Sequence, residues 1–326
     1  MSFPRASICV PVYNTAPYIR QCIESVLAQD SNDWVLLVAD NCSTDGTWEI
    51  LQEFRDSRIK LFRHERNIGV MNNWNFVREK VETDYFCMLG SDDFLFPNFV
   101  RSKVCLLDCY PEAPLAYSWA VHVDQNSKVI PRLSDDAPSV LSKPPIEPSS
   151  EALKRMLLYC YINISNVMFR RSALATRGIT FDSRWRFCGD WAIYVELALF
   201  YPYLLLDPEK GASYRFHLSN DTAQNKHSFE WAMEQQLHLL TSFEEHPGEW
   251  ASHGIDIGAE SQRRTAHLWM IALQQLKRGQ FSNASAAWAL YRRFHPAQSA
   301  LRDFVKLLGN RLTPGRRERI IHSADS

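Results

Sequence analysis

Asp84-Tyr85-Phe86-Cys87-Met88-Leu89-Gly90-Ser91-Asp92-Asp93 joins a short apolar run to two adjacent carboxylates. The run reads as a buried β-strand, and the acids at its carboxyl end are not core filler, because unpaired buried charge is costly. Two acids so placed suit a divalent cation and, through it, a phosphate. The plainer alternative is a helix cap ahead of Phe94-Leu95-Phe96-Pro97, since Asp is a preferred N-cap.

Upstream, strand and helix patterns alternate. Ala6 to Val12 is a short apolar strand, and Ile19, Cys22, Ile23, Val26 and Leu27 then fall on one helical stripe. Thr15 before Ala16-Pro17 suits an N-cap followed by an early helix proline. Trp34 to Ala39 is a second strand ending at Asp40, and Asn41-Cys42-Ser43-Thr44-Asp45-Gly46 is a turn. Trp48, Leu51 and Phe54 begin another helix, Ile59 to Phe62 is a third strand, and a helix carrying Trp74, Val77 and Val81 leads into the strand before Asp92. Repeated βα units imply a mostly parallel sheet with helices on both faces. Ligands on such sheets bind outside the carboxyl ends of the strands, where Asp40 and Asp92 both fall.

Downstream, Pro131 to Ser150 is rich in proline and serine and reads as a long loop. A helix over Glu151 to Tyr161, a strand over Asn166 to Phe169, a helix opening at Asp190 and a strand near Ser213 to His217 follow. From about Phe229 the pattern is helical, with no useful polar cluster.

Bulk properties narrow the function. A formal net charge of −1 over 326 residues argues against nucleic acid as a partner. The eight cysteines form no CxxC pair and read as buried free thiols, which favours a reducing cytoplasm. No secretory signal is visible in Met1-Ser2-Phe3-Pro4-Arg5. The longest apolar run, Leu197 to Leu206, is broken by Pro202 and is too short to span a bilayer. No G-x-G-x-x-G follows the first strand, so a dinucleotide oxidoreductase lacks its phosphate cradle.

Several residues carry a chemical and a plainer reading side by side. Asp40 can accept from a ribose hydroxyl or a base N–H, while Asp45 in Asp45-Gly46 is also ordinary turn chemistry. Tyr13 in Pro11-Val12-Tyr13-Asn14 offers a ring for a base, or merely packs at a strand end. Gly69 in Asn67-Ile68-Gly69 permits close backbone approach to a ligand, or simply starts a helix. Asp190 in Cys188-Gly189-Asp190-Trp191 suits a general base or a helix cap. His217 suits a metal or phosphate ligand, or a packed side chain.

In combination, Val10-Pro11-Val12-Tyr13-Asn14, Ala39-Asp40-Asn41-Cys42-Ser43-Thr44-Asp45-Gly46-Thr47, Asn67-Ile68-Gly69 and Ser91-Asp92-Asp93 occur in one order on one βα framework. This closely resembles the family 2 glycosyltransferases, inverting enzymes of the GT-A fold, over roughly residues 5 to 220. The resemblance implies an α/β fold with a GT-A (Rossmann-like), mostly parallel sheet flanked by helices and a helical C-terminal extension. It implies a catalytic domain over 1–225, with a donor-binding half (1–125) and an acceptor and catalytic half (126–225), and a helical region over 226–326.

By the same resemblance Pro11, Tyr13, Asn14, Asn67 and Gly69 contact the nucleotide donor. Asp40 meets the base, with Asp45 in the turn beside it. Ser91-Asp92-Asp93 matches the family's DxD-type element, with Asp93 expected to ligate Mg2+ or Mn2+ and Asp92 to touch sugar or ribose. His217 joins the metal or the diphosphate. Asp190 is the base, although Gly189 stands where the family often has Glu. The implied reaction is transfer of a sugar from a nucleotide-diphosphate sugar to a hydroxyl of a glycan or lipid-linked glycan acceptor, with inversion, in bacterial surface polysaccharide synthesis. The alternative is an inactive relative that binds nucleotide-sugar or glycan. Phe294 to Ile321 mixes Leu301, Phe304, Leu307 and Leu308 with Arg302, Lys306, Arg311 and Arg316. Such a basic amphipathic segment suits peripheral contact with the inner face of the cytoplasmic membrane, or a helical hairpin with a solvated tail.

Overall fold

The computed structural model describes residues 3–131, 145–218, 220–225 and 228–294. The chain divides into two compact units at Ile257. The first begins with β1 (Ala6–Val12), α1 (Ala16–Leu27), β2 (Trp34–Asp40), α2 (Thr47–Leu51), β3 (Ile59–Arg63), α3 (Val70–Glu79), β4 (Tyr85–Met88) and α4 (Phe99–Cys109). Every position of β1 and β2 is buried, the pattern of strands covered on both faces rather than one. α1 buries Ile19, Cys22, Ile23 and Val26, the stripe read from its spacing. Its N-terminus is capped differently from expectation. Thr15 makes no capping bond, and the Ala16 N–H donates instead to Asp45 Oδ2 at 3.0 Å.

The unit continues through β5 (Leu115–Tyr117), β6 (Val121–Asp124), β7 (Ile146–Pro148), α5 (Ser149–Met156), a 3-10 turn (Ile164–Asn166), β8 (Val167–Arg170), α6 (Arg171–Arg177) and α7 (Gly189–Phe200). β9 (Tyr203–Leu206), β10 (Ser213–Phe216), α8 (Asp221–Asn225), α9 (Phe229–Glu245) and α10 (Pro247–Ser252) complete it. Eight strands form one sheet in the order β3-β2-β1-β4-β8-β5-β9-β7. The β3-β2-β1-β4 half is parallel, so its carboxyl ends share one edge. Beyond it β8 runs antiparallel to both β4 and β5.

The sequence pattern differs from the structure in three places. The stretch read as loop over 131–150 holds β7, paired antiparallel with β9, while residues 132–144 lie outside the described residues. The helix expected to reach Tyr161 ends at Met156, because the chain turns to bring the Tyr161 hydroxyl to Glu147 at 2.9 Å. β6 was not evident from sequence. It pairs with β10 in parallel, and that small sheet carries the chain toward His217.

The second unit contains α11 (Ile257–Lys277) and α12 (Phe281–Phe294). Trp269 packs against Trp288 and Tyr291 at ring separations of 4.9 and 5.7 Å. The basic segment that follows Phe294 lies outside the described residues. Among those described, no helix is long and apolar enough to cross a membrane. All eight cysteines are unpaired, and Cys9, Cys22, Cys87 and Cys188 are buried.

One buried ion pair ties α4 to the end of β9: Lys103 Nζ lies 2.8 Å from Asp207 Oδ2, with both side chains almost fully buried. Removing one partner strands a charge in the core. Asp207→Ala is expected to lower the unfolding free energy in urea by about 3–5 kcal/mol. Lys103→Met combined with Asp207→Leu should recover most of that loss, and equal losses in the single and double variants would refute this account.

Candidate active site

At the carboxyl ends of β1 and β2 the backbone enters the left-handed region at two non-glycine residues, Asn14 (φ 52°) and Cys42 (φ 64°). Such conformations persist only where surroundings hold them, and here each loop holds the other. Asn14 Oδ1 accepts from the Thr44 N–H at 2.9 Å, and the Asn14 N–H donates to Ser43 Oγ at 2.9 Å. Pro11 is buried in β1, while Tyr13 stands 48% exposed beside the loops. Asn41 joins the next loop, accepting from the Ile68 N–H at 2.8 Å and donating to Asn67 Oδ1 at 3.0 Å. Asn67 also takes the Gly69 N–H at 2.8 Å. Gly69 has φ 88°, a conformation that disfavours any side chain.

Asp40 does not face outward. Its carboxylate is fully buried, accepts from the Ser43 N–H and lies 3.2 Å from Arg63 Nε. Arg63, 38% exposed at its side chain, is the group through which Asp40 reaches the surface. Asp45 accepts from the N–H and hydroxyl of Thr47 and from the Ala16 N–H. Burial alone would raise its pKa, but these bonds outweigh it and hold the carboxyl below its usual range. Its observed work is to tie the turn to α1.

The two acids after β4 are treated in opposite ways. Asp93 is buried, with Oδ2 accepting from Ser165 Oγ at 2.6 Å and Oδ1 from the Arg215 N–H at 2.8 Å. Burial and the charge of Asp92 push its carboxyl well up. Asp92 is partly exposed, and its Oδ2 lies 2.9 Å from His217 Nε2. Both Asp93 oxygens accept internal bonds here, and Asp92 is the acid beside His217. Tyr18 from α1 packs on the His217 ring at 4.7 Å. Among the described residues no three metal-ligating side chains converge. One carboxylate and one imidazole nevertheless suit a hard or borderline cation whose other ligands are phosphate oxygens and water. The pair fits Mg2+ or Mn2+ on that basis.

Arg215 fixes this turn. Its side chain is buried and donates to the Asp92 carbonyl, to Ser127 Oγ at 3.0 Å and to Gln21 Oε1 at 2.7 Å. A Cβ at Gly90 would come within 3.1 Å of both Asp92 and Asp93, so a side chain there would press on both acids.

Asp190 opens α7 and is largely shielded from solvent. Burial pushes its carboxyl up to about 6, against the pull of the Trp191 N–H at 2.8 Å and with help from the nearby Glu234 charge. The helix start is seated against α3, since a Cβ at Gly189 would meet Met71 Sδ at 2.8 Å. Beside Asp190 runs Tyr159-Cys160-Tyr161, where burial and then the Asp190 charge push the Cys160 thiol up. Tyr159 is 53% exposed. Tyr161 is braced by Glu147 and by Arg155 over its ring at 4.7 Å, and Trp119 lies 6.1 Å from it. These rings form an aromatic cluster around the segment that carries Cys160.

Sequence reasoning missed Ser165, Arg215, Tyr18, Arg63 and Glu234. Arg215 had a signal: strand alternation puts residues 215 and 217 on one side. Ser165 and Glu234 had none, since their roles arise from contacts distant in sequence.

The architecture is that of the GT-A fold. It matches Staphylococcus aureus TarS residues 1–349, solved in complex with UDP-GlcNAc, with a TM-score of 0.58 at 15% identity, covering 89% of this chain and 92% of that one. It also matches the mannosyltransferase PcManGT from Pyrobaculum calidifontis, solved in complex with GDP-Man and Mn2+, at TM-score 0.55 and 16% identity over 95% and 81% of the two chains. The model of glycosyl transferase family 2 matches residues 7–176, just over half of the chain, and the chain belongs to that family. It is 38% identical over 92 residues to a putative teichuronic acid biosynthesis glycosyltransferase, TuaG, of Bacillus subtilis, covering 28% of this chain and 36% of that relative. To the chondroitin synthase of Escherichia coli it is 33% identical over 130 residues, 39% of this chain and 19% of that one. The chain thus spans well under half the length of these curated relatives.

The two acids after β4 are expected to separate in unfolding experiments. Asp93→Ala leaves the Ser165 hydroxyl and the Arg215 N–H unsatisfied and should cost about 1–3 kcal/mol for each in urea unfolding. Asp92→Ala removes one side-chain contact, to His217, and should cost less than Asp93→Ala. The reverse ranking would refute the assignment of Asp93 to the interior.

Proposed function

We propose that the chain is an inverting glycosyltransferase. It moves a sugar from a nucleotide-diphosphate sugar to a hydroxyl of a glycan or lipid-linked glycan acceptor, in the synthesis of a surface polysaccharide. The observation that carries this reading is an acid–imidazole pair, Asp92–His217, just after β4, with a second, shielded acid, Asp190, at the start of α7. The names of the teichuronic acid and chondroitin relatives support polysaccharide as the product class.

In this reading residues 1–125 bind the donor and residues 126–225 the acceptor. The helical region over 226–326 contributes Glu234 to the acceptor side. Tyr13 offers its ring to the base. Asp40 acts on the same pocket through Arg63 and Ser43, and Pro11, Asn14, Asp45, Asn67 and Gly69 shape the loops around the nucleotide. Asp92 and His217 hold Mg2+ or Mn2+, which when bound neutralises charge on the donor diphosphate. Asp93 and Arg215 hold Asp92 in position. Asp190 takes the proton from the acceptor hydroxyl, whose oxygen attacks the anomeric carbon on the face opposite the nucleotide. Proximity supplies much of the rate. The cluster of Trp119, Tyr159 and Tyr161 suits an acceptor sugar, whose C–H faces pack on aromatic rings.

Release of nucleotide diphosphate from a panel of nucleotide-sugars, with and without Mn2+, tests the class. Asp190→Asn is expected to lower kcat by roughly a hundredfold to ten-thousandfold with donor affinity unchanged. Near-wild-type turnover in that variant would remove Asp190 as the base, and a product of retained anomeric configuration would sink the mechanism. Because the base must be ionised, kcat/KM should rise with pH through about 6 and be lost below it. Donor binding without turnover across the panel would leave the chain a nucleotide-sugar-binding relative.

A further inference from the structure

α9 (Phe229–Glu245) crosses the start of α7 and lays two residues one turn apart, Glu234 and His238, over Asp190 and Trp191. Glu234 Oε1 accepts from the Phe187 N–H and, at 2.7 Å, from the Cys188 N–H, the two amides that lead into α7. The His238 ring packs on Trp191 at 4.5 Å and on Trp185 at 6.3 Å. Amides at a helix start have no partner within the helix, and here a carboxylate from a helix more than forty positions away in sequence supplies one. No side chain at Gly189 has room to do so, because Met71 Sδ fills that space.

We propose that Glu234 is a positioning residue for Asp190: it clamps the start of α7 through two backbone N–H groups and holds a second carboxylate beside the acid. The proposal gives Glu234 a part in the reaction insofar as it rests on the reading of Asp190 as the base. Its physical content does not depend on that reading. Two carboxylates share one helix start, where the amide dipoles favour negative charge but each acid opposes ionisation of the other. The other titratable or charged groups facing this turn are Cys160 from the segment after α5, Cys188 and Tyr194 of the α7 region, Arg186, which acts on Glu234, and His238. Burial holds the Cys160, Cys188 and Tyr194 protons in place across the neutral range. Glu196, farther along α7, is pushed up to about 7 by burial, so the pH dependence of the whole protein does not isolate Asp190, whereas a difference between variants does.

The test needs no substrate. Thermal midpoints are measured from pH 4 to 8 for the wild type, Asp190→Asn, Glu234→Gln and the double variant. Asp190 has a higher pKa folded than unfolded, so its contribution to stability is greatest below its unfolded pKa and declines as pH rises to about 6. The wild type minus Asp190→Asn difference should therefore fall over that interval and level off above it. Glu234→Gln keeps an acceptor for both amides and removes the charge, so in its background the fall should finish lower by about half a pH unit or more. An unchanged fall would reduce Glu234 to a structural cap and overturn the proposal. Should Glu234→Gln fail to fold, the 13C carboxyl signal of the wild-type protein that Asp190→Asn removes gives the midpoint directly. Coupling predicts that this signal titrates in two steps, the second at the midpoint of the carboxyl signal that Glu234→Asp shifts, and a single-step curve overturns it. If the coupling is found but Asp190→Asn still transfers sugar, the base assignment fails and the coupling stands.

Discussion

Asp93 is the fixed point of this structure. Its carboxylate sits in the interior at the end of β4, bonded to Ser165 Oγ from the turn before β8 and to the Arg215 N–H of β10. An unsatisfied acid at this depth would cost several kilocalories per mole, of order 1–3 for each lost bond and more where charge is involved. The three segments therefore come together around it or the fold loses more than any one of them contributes. Arg215 extends the same constraint through its side chain, reaching the Asp92 carbonyl, Gln21 of α1 and Ser127 beyond β6. With Asp93 held inward and the intervening backbone gripped, Asp92 turns toward the open side and meets His217.

The alternation of apolar strands and amphipathic helices made the β3-β2-β1-β4 half legible, because β1, β2 and β4 are buried throughout and α1, the longest helix among them, shows one apolar stripe. The acids at strand ends were legible as chemistry because nothing in a core wants them. Which of two adjacent acids faces out was not legible. Asp92 and Asp93 are equivalent in local sequence, and the choice between them is made by Ser165 and Arg215, more than seventy and a hundred and twenty positions away. The same holds for Asp40, a strand-end acid that looks available until Arg63 of the neighbouring strand is seen against it. It holds again for β7, whose Ile146–Pro148 run lies within a proline-rich stretch and becomes a strand only because β9 offers it an edge. Local pattern marks where polar groups cluster, and long-range contacts assign each of them its task.

Three buried or half-buried acids, Asp40, Asp93 and Asp190, show how partners decide what burial does. Asp40 has a guanidinium beside it as well as an amide, so its charge is compensated inside the fold. Asp93 has a hydroxyl, an amide and the Arg215 charge against a neighbouring acid, and burial still dominates and pushes its carboxyl up. Asp190 has an amide on one side and Glu234 on the other, and it is the one poised to change its protonation near neutral pH. A carboxylate with a cation at hand is suited to hold structure. One left with only dipoles and a like charge is suited to take up a proton.

The location of these groups follows from the sheet. Four parallel strands bring their carboxyl ends, and the loops of Asn14, Cys42 and Asn67, to one edge. Had the sheet continued in parallel past β4, the next loop would have been another helix connection of the same kind. Instead β8 enters antiparallel, so the 3-10 turn before it arrives at that edge from the other direction and delivers Ser165 to Asp93. The open β6–β10 pair then returns Arg215 and His217 to the same spot. A crevice at the carboxyl ends of parallel strands is where ligands bind in folds of this kind. Here the change of direction at β4–β8 closes one side of it with a second set of elements, and that second set supplies the histidine, the arginine and, through α7 and α9, the shielded acid.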